Sequence, residues 1–163
     1  MDVKYEIVKA KPGPLLLAET QDGLFYVGFG DDLKPLETFA RRWLDEPRLK
    51  RGRVKASVQV REYLSGKRKD FDLPLAPLGT DFQKKVWKAM SRIPYGRTKT
   101  YGQLARQLKR PAAARAVGAA CGANPLPLVV PCHRVLGQNG SLTGFGGGLA
   151  WKQWLLDLEA KSA

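Results

Sequence analysis

Two prolines within the eight residues Asp72-Leu73-Pro74-Leu75-Ala76-Pro77-Leu78-Gly79 limit the fold more than any other feature of the chain. Proline lacks a backbone N–H and restricts the residue before it, so neither a helix nor an interior strand runs through such a stretch. It reads as an extended connector. It divides the 163 residues into a supporting domain expected over residues 1–76 and a second domain over residues 77–163.

The charge divides at almost the same place. Residues 1–80 hold 15 basic and 12 acidic side chains, a net +3, whereas residues 81–163 hold 13 and 3, a net +10. Asp81 and Asp157 bracket 75 residues without a single acid. Ordinary solvated surfaces mix both signs. So long a one-sign span points to a polyanion partner, and nucleic acid is the commonest. Membrane insertion is excluded for the least polar stretch, Ala116 to Cys132, because Gly118, Gly122, Pro125, Pro127 and Pro131 interrupt it. The opening Met1-Asp2-Val3-Lys4-Tyr5-Glu6 lacks the apolar run of a secretory signal. A cytoplasmic, nucleoid-associated protein is expected, monomeric when not bound to DNA.

The first domain is expected to be α/β, a small antiparallel sheet with helices. Val3 to Val8 alternates apolar and polar residues, Leu15 to Ala18 is a short apolar run, and Asp22-Gly23 is a hairpin signal before Leu24 to Phe29. Helical patterns follow over about 35–44 and 57–64, with Gly66 placed to end the second.

The second domain is expected to be mainly α with a helix-turn-helix. Thr80 with Gln83 and Thr100 with Gln103 are capping-box pairs, each opening a helix. Pro111 then opens an alanine-rich helix through Ala120. Two short helices joined by a few residues inside the acid-free span make a helix-turn-helix or an ordinary helical hairpin. Ala113, Ala114 and Ala116 stand where a major-groove reader would carry Arg, Asn or Gln. Small side chains read no sequence, yet they allow a backbone to approach a minor groove closely. Arg115 is then the one long side chain on a smooth surface.

Chemistry concentrates at Pro131-Cys132-His133-Arg134-Val135. The thiolate is the nucleophilic form of cysteine, and an adjacent imidazole is its natural base, with Arg134 and the local positive field favouring ionisation. On a regular strand, neighbouring side chains point to opposite faces, so a turn after Cys132 or a bridging water is required. Cys121, amid small residues, reads as a buried hydrophobe. With one His and two Cys in the chain, no Cys/His zinc cage can be assembled, and no metal or other cofactor is expected.

These residues resemble the O6-alkylguanine-DNA alkyltransferase family, also called methylated-DNA–protein-cysteine methyltransferases. Asn124-Pro125, Pro131 to Val135, Gly144 to Gly148 and Leu155-Leu156-Asp157-Leu158-Glu159 carry the likeness. Gly79 to Gln83, Ile93 to Gly96, Tyr101 to Ala105 and Arg115 to Gly118 match in the same order. The resemblance implies a repair protein that flips an alkylated guanine from duplex DNA, through the minor groove and with little sequence preference. It moves the alkyl group irreversibly onto Cys132. It further implies His133 as base through a water, Glu159 orienting that imidazole, Asn124 bracing the loop, and Tyr101 assisting the leaving guanine. Arg115 would fill the vacated stack, helped by Thr100, Ala113, Ala114 and Ala116 at the DNA. Pro127, Phe145, Gly146 and Cys121 would border the lesion pocket. Some relatives carry Tyr and Ser at the places of Phe145 and Gly146, and the loss of both hydroxyls implies room for bulkier alkyl groups. The competing readings are a non-catalytic lesion sensor, against which the acceptor thiol argues, and a Cys-His hydrolase, which gives no reason for the basic surface.

Overall fold

Alternation over Val3 to Val8, the apolar run from Leu15 and the Asp22-Gly23 turn each announce a strand, and the computed structural model, which describes residues 1–142, 145 and 147–162, contains them as β1 (Asp2–Val8), β2 (Leu15–Thr20) and β3 (Gly23–Phe29). The chain divides into two compact units, Met1–Leu78 and Gly79–Ala163. In the first, β1, β2 and β3 form an antiparallel meander. The β2–β3 turn depends on Gly23, whose φ is +134° and where a Cβ would stand 2.4 Å from the Pro74 carbonyl oxygen. Helix α1 (Lys34–Trp43) then carries the chain to β4 (Arg48–Arg51). This fourth strand pairs parallel with β1, giving the order β3-β2-β1-β4.

The first unit is therefore the expected sheet with helices, and its sheet is mixed rather than wholly antiparallel. A helix between β3 and β4 supplies the long crossover that parallel pairing needs. The sequence Arg-Leu-Lys-Arg has one apolar residue and no alternation to announce a strand. Val3, Leu16, Ala18, Phe25 and Leu36 form one buried hydrophobic cluster of the unit, and α2 (Ala56–Leu64) completes its elements. The proline-rich connector is extended, as expected. Its Pro74 carbonyl accepts from Leu24 N at 3.0 Å, and Ala76 N donates to Leu24 O at 2.8 Å.

The second unit begins with α3 (Asp81–Met90), where Thr80 and Gln83 exchange both capping hydrogen bonds. Thr100 and Gln103 repeat the device at α4 (Tyr101–Gln107). Pro111 opens a short 3-10 turn over Pro111–Ala113, so α5 (Ala114–Gly122) starts three residues later than proline placement alone suggests. The cause is local: the Ala113 N–H bonds back to Arg110 O, three residues away. The Trp87 indole N–H donates to Ala120 O at 2.8 Å and ties α3 to α5. Two short strands, β5 (Lys99–Thr100) and β6 (Val135–Leu136), pair parallel with Thr100 opposite Leu136. That pairing sets the start of α4 beside the chain that follows Cys132. Helix α6 (Leu149–Ser162) closes the unit.

Candidate active site

Lys152, Leu155 and Glu159 stand at i, i+3 and i+7 of α6, which puts them on one face of the helix. All three are buried, Glu159 to 1% exposure, and α6 packs against the 3-10 turn Cys132–Arg134. The Glu159 carboxylate is saturated with donors. Arg134 reaches it in a fork, Nε to Oε1 and Nη2 to Oε2, both at 2.8 Å. His133 Nε2 lies 2.6 Å from Oε2, and the Gly96 N–H donates to Oε1 at 3.1 Å. Gly96 sits at φ +76°, a conformation that glycine adopts without a Cβ penalty. Arg134 spends its remaining nitrogen on Ile93 O at 2.7 Å and lies over the Tyr95 ring. Buried charges are tolerated when they are paired this fully.

The imidazole is wholly buried. Burial lowers its pKa below the ordinary 6.5 against the opposing pull of Glu159, so the ring is neutral at pH 7. With Nε2–H donated to the carboxylate, Nδ1 is the basic nitrogen. Cys132 and His133 share a tight turn, so the facing problem of a regular strand does not arise.

Cys132 is half-buried. Burial pushes its thiol up to about 11, while a hydrogen bond from Asn124 and the charge of Lys152 pull the other way. Asn124 also donates from Nδ2 to Val130 O at 2.9 Å and accepts at Oδ1 from Leu126 N at 3.0 Å. One amide thus holds both ends of the loop that delivers the cysteine. The expectation that Arg134 favours the thiolate is not met, because its guanidinium is committed to Glu159 and Ile93. The cation that acts on Cys132 is Lys152, fully buried with Nζ donating to Val135 O at 2.7 Å. Sequence reasoning missed Lys152, although its helical spacing from Glu159 carried the signal. Cys121 is buried, and desolvation raises its thiol to about 12, which suits the small hydrophobe read from its neighbours.

A cavity of about 630 Å³ opens between α4 and α5, lined by Thr100, Tyr101, Gly102, Arg106, Ala114, Arg115, Gly118 and Gln138. It gathers three predicted DNA-contacting groups, Thr100, Ala114 and Arg115, around Tyr101. Arg106 and Gln138 line it without having been foreseen. Ala116 is exposed on α5, and Ala113, half-buried, lies in the preceding 3-10 turn; neither is among the lining residues. Pro127 is buried and Phe145 half-buried. Gly146 lies outside the described residues. Among the described residues, no three His, Cys, Asp or Glu side chains form a group that could hold a metal, and no helix is long and apolar enough to cross a membrane.

Comparison with known proteins covers both units. Residues 3–77 match the family described as 6-O-methylguanine DNA methyltransferase, ribonuclease-like domain, and residues 81–161 match 6-O-methylguanine DNA methyltransferase, DNA binding domain. A methylated-DNA–protein-cysteine methyltransferase of Methanosarcina acetivorans is 46% identical over 95% of this chain and 97% of its own. The inducible enzyme of that name from Bacillus subtilis is 44% identical over 98% and 91%. The crystal structure of Mycobacterium tuberculosis O6-methylguanine methyltransferase superposes with a TM-score of 0.83 at 42% identity, covering 99% of this chain and 94% of the other. The Mycobacterium tuberculosis protein in complex with DNA gives 0.82 at 40% identity, over 98% and 94%.

Proposed function

The chain belongs to the 6-O-methylguanine DNA methyltransferase family, and from that premise we propose which of its residues perform the family's reaction. The protein repairs O6-alkylguanine in duplex DNA by direct reversal, moving the alkyl group to a cysteine of its own and acting once. In our assignment that cysteine is Cys132. His133 Nδ1 takes the thiol proton through a bridging water as sulfur attacks the alkyl carbon. The C–O bond breaks, a thioether forms on Cys132, and the guanine leaves with its oxygen electrons, protonated with help from the Tyr101 hydroxyl. A departing oxyanion without that proton is costly in a closed site.

The observation that carries this assignment is the buried His133–Glu159 pair one residue from Cys132. A thiol raised to about 11 is protonated at neutral pH and needs a base in place, and a neutral, carboxylate-oriented imidazole is that base. The cavity between α4 and α5 supports the DNA-side roles. Arg115 stands on its lip as the side chain that enters the space of the flipped guanine, and α5 follows the minor groove without reading sequence. Association with the nucleoid in the cytoplasm follows from that affinity.

Incubating the protein with a duplex holding O6-methylguanine and mapping the product by peptide mass tests the assignment. One methyl group is expected on the Cys132 peptide, with none on Cys121, and Cys132→Ser should bind the duplex without clearing the lesion. A methyl group on Cys121, or lesion loss with an unmodified Cys132, would refute it.

A further inference from the structure

The first unit carries a concentration of charge for which the transfer chemistry has no use. Between Glu46 and Glu62 the chain holds six basic residues and no acid, whereas the rest of residues 1–80 carries 9 basic and 12 acidic side chains. They are Arg48, Lys50, Arg51, Arg53, Lys55 and Arg61, all exposed. Arg48 is paired with Asp2 at 3.0 Å and Arg61 with Glu6 at 3.2 Å. Among the described residues, Lys50, Arg51, Arg53 and Lys55 enter no ion pair. β1 adds exposed Lys4, directly opposite Lys50 in the parallel ladder. Like charges placed side by side on a sheet repel. The acid on the other flank of Lys4 is Glu19, whose Oε1 already accepts the Lys55 N–H at 2.8 Å. A groove of about 380 Å³ runs across this region, with Lys4, Lys50 and Lys55 in its walls beside the acids Asp2, which is paired with Arg48, and Glu19.

We propose that this basic edge of the first unit is a second contact surface for the phosphate backbone of duplex DNA, independent of sequence and of any lesion. Charge complementarity selects the occupant: several unpaired cations along one edge fit a regularly spaced line of phosphates. Cations on an edge strand also deter pairing with other chains. That role calls for charge on β4 itself, whereas Arg53 and Lys55 lie beyond its end and Lys4 lies on the neighbouring strand.

The test uses the full chain and an undamaged duplex, with affinity measured across a series of salt concentrations. Replacing Lys50→Gln, Arg51→Gln and Arg53→Gln together should flatten the slope of log affinity against log salt by about 2 to 3, since each phosphate contact contributes about 0.9. A second variant, Lys34→Gln, Arg41→Gln and Lys67→Gln, removes three exposed cations of the same unit outside β4 and the turn after it, and should change the slope by less than about 1. Equal slopes for the two variants overturn the proposal. Thermal unfolding checks that both fold. Arg53→Gln alone, expected to flatten the slope by about 0.9, supplies the reading should the triple variant unfold, and an unchanged slope there also overturns it. No alkyl group is present in this experiment, so its failure leaves the assignment of Cys132 standing, and the converse holds.

Discussion

Glu159 is the residue on which the site's electrostatics turn, because one carboxylate neutralises Arg134, orients His133 and fixes the Gly96 turn. Glu159→Gln keeps the shape and removes the charge. Transfer should slow by about 100-fold, within the range of a lost general-base contribution. Stability should fall by about 3 kcal/mol, the cost of leaving a buried guanidinium without its counter-charge. Single-turnover rates and denaturant midpoints read the two effects separately. The same burial makes stability depend on pH at both ends. The folded pKa of His133 is lowered below 6.5, so the unfolded chain binds the proton more readily; its contribution is intact above 6.5 and is lost as pH falls below that value. The folded pKa values of Cys132 and Cys121 are raised from 9.0 to about 11 and about 12. Their contribution is intact below 9 and is lost as pH rises through those values. Unfolding midpoints against pH should show a plateau that declines at both ends, and an alkaline arm unchanged in a Cys121→Ala, Cys132→Ala variant would contradict the sign worked out for the thiols.

At the scale of elements, the capping boxes at Thr80 and Thr100 fix where α3 and α4 begin. The second has the greater consequence, since β5 ends at Thr100 and pairs with β6, and Tyr101 is the first residue of α4. Loss of such a cap costs about 1 kcal/mol, so Thr100→Ala should lower the melting midpoint by about 2–4 °C. Thr80→Ala should cost a similar amount of stability. Only Thr100→Ala should also slow transfer on duplex DNA, because it alone loosens the helix start that sets Tyr101 in the cleft. Equal transfer rates for the two variants would separate the cap from the site. Helix α6 shows the complementary case, in which one stripe of Lys152, Leu155 and Glu159 delivers both a cation and a carboxylate to the turn at Cys132. An amphipathic stripe usually buries apolar groups. Two charges on the buried side are the mark of a site.

For the whole molecule, the second half's net +10 falls on the unit that holds the cleft and the acceptor cysteine, so affinity for undamaged duplex should fall steeply with salt. The product is a thioether, which no group among the described residues is placed to cleave. Titration with excess lesion duplex should therefore saturate at about one alkyl group per protein, and a larger ratio would show turnover that the chemistry of the acceptor does not provide.

Much of this was legible in the linear sequence because it depends on local rules. Proline placement marked the connector, alternation marked β1, an apolar run marked β2, the Asp22-Gly23 turn marked the start of β3, and capping pairs marked α3 and α4. The Cys132-His133 dipeptide and the family's motif order marked the centre. Strand β4 was not legible, since its partner β1 is more than 40 residues away and an exposed basic edge has no apolar alternation to betray it. Nor could neighbours in sequence reveal which cation serves the thiol. Arg134 adjoins His133 in the chain yet turns to Glu159, while Lys152 comes from another helix and is fully buried. The sequence by itself determined the local elements and the stock of reactive groups, through interactions a few residues long. Only the tertiary structure decided which charges are buried together, because desolvation and pairing depend on distances between segments that the order of residues does not contain.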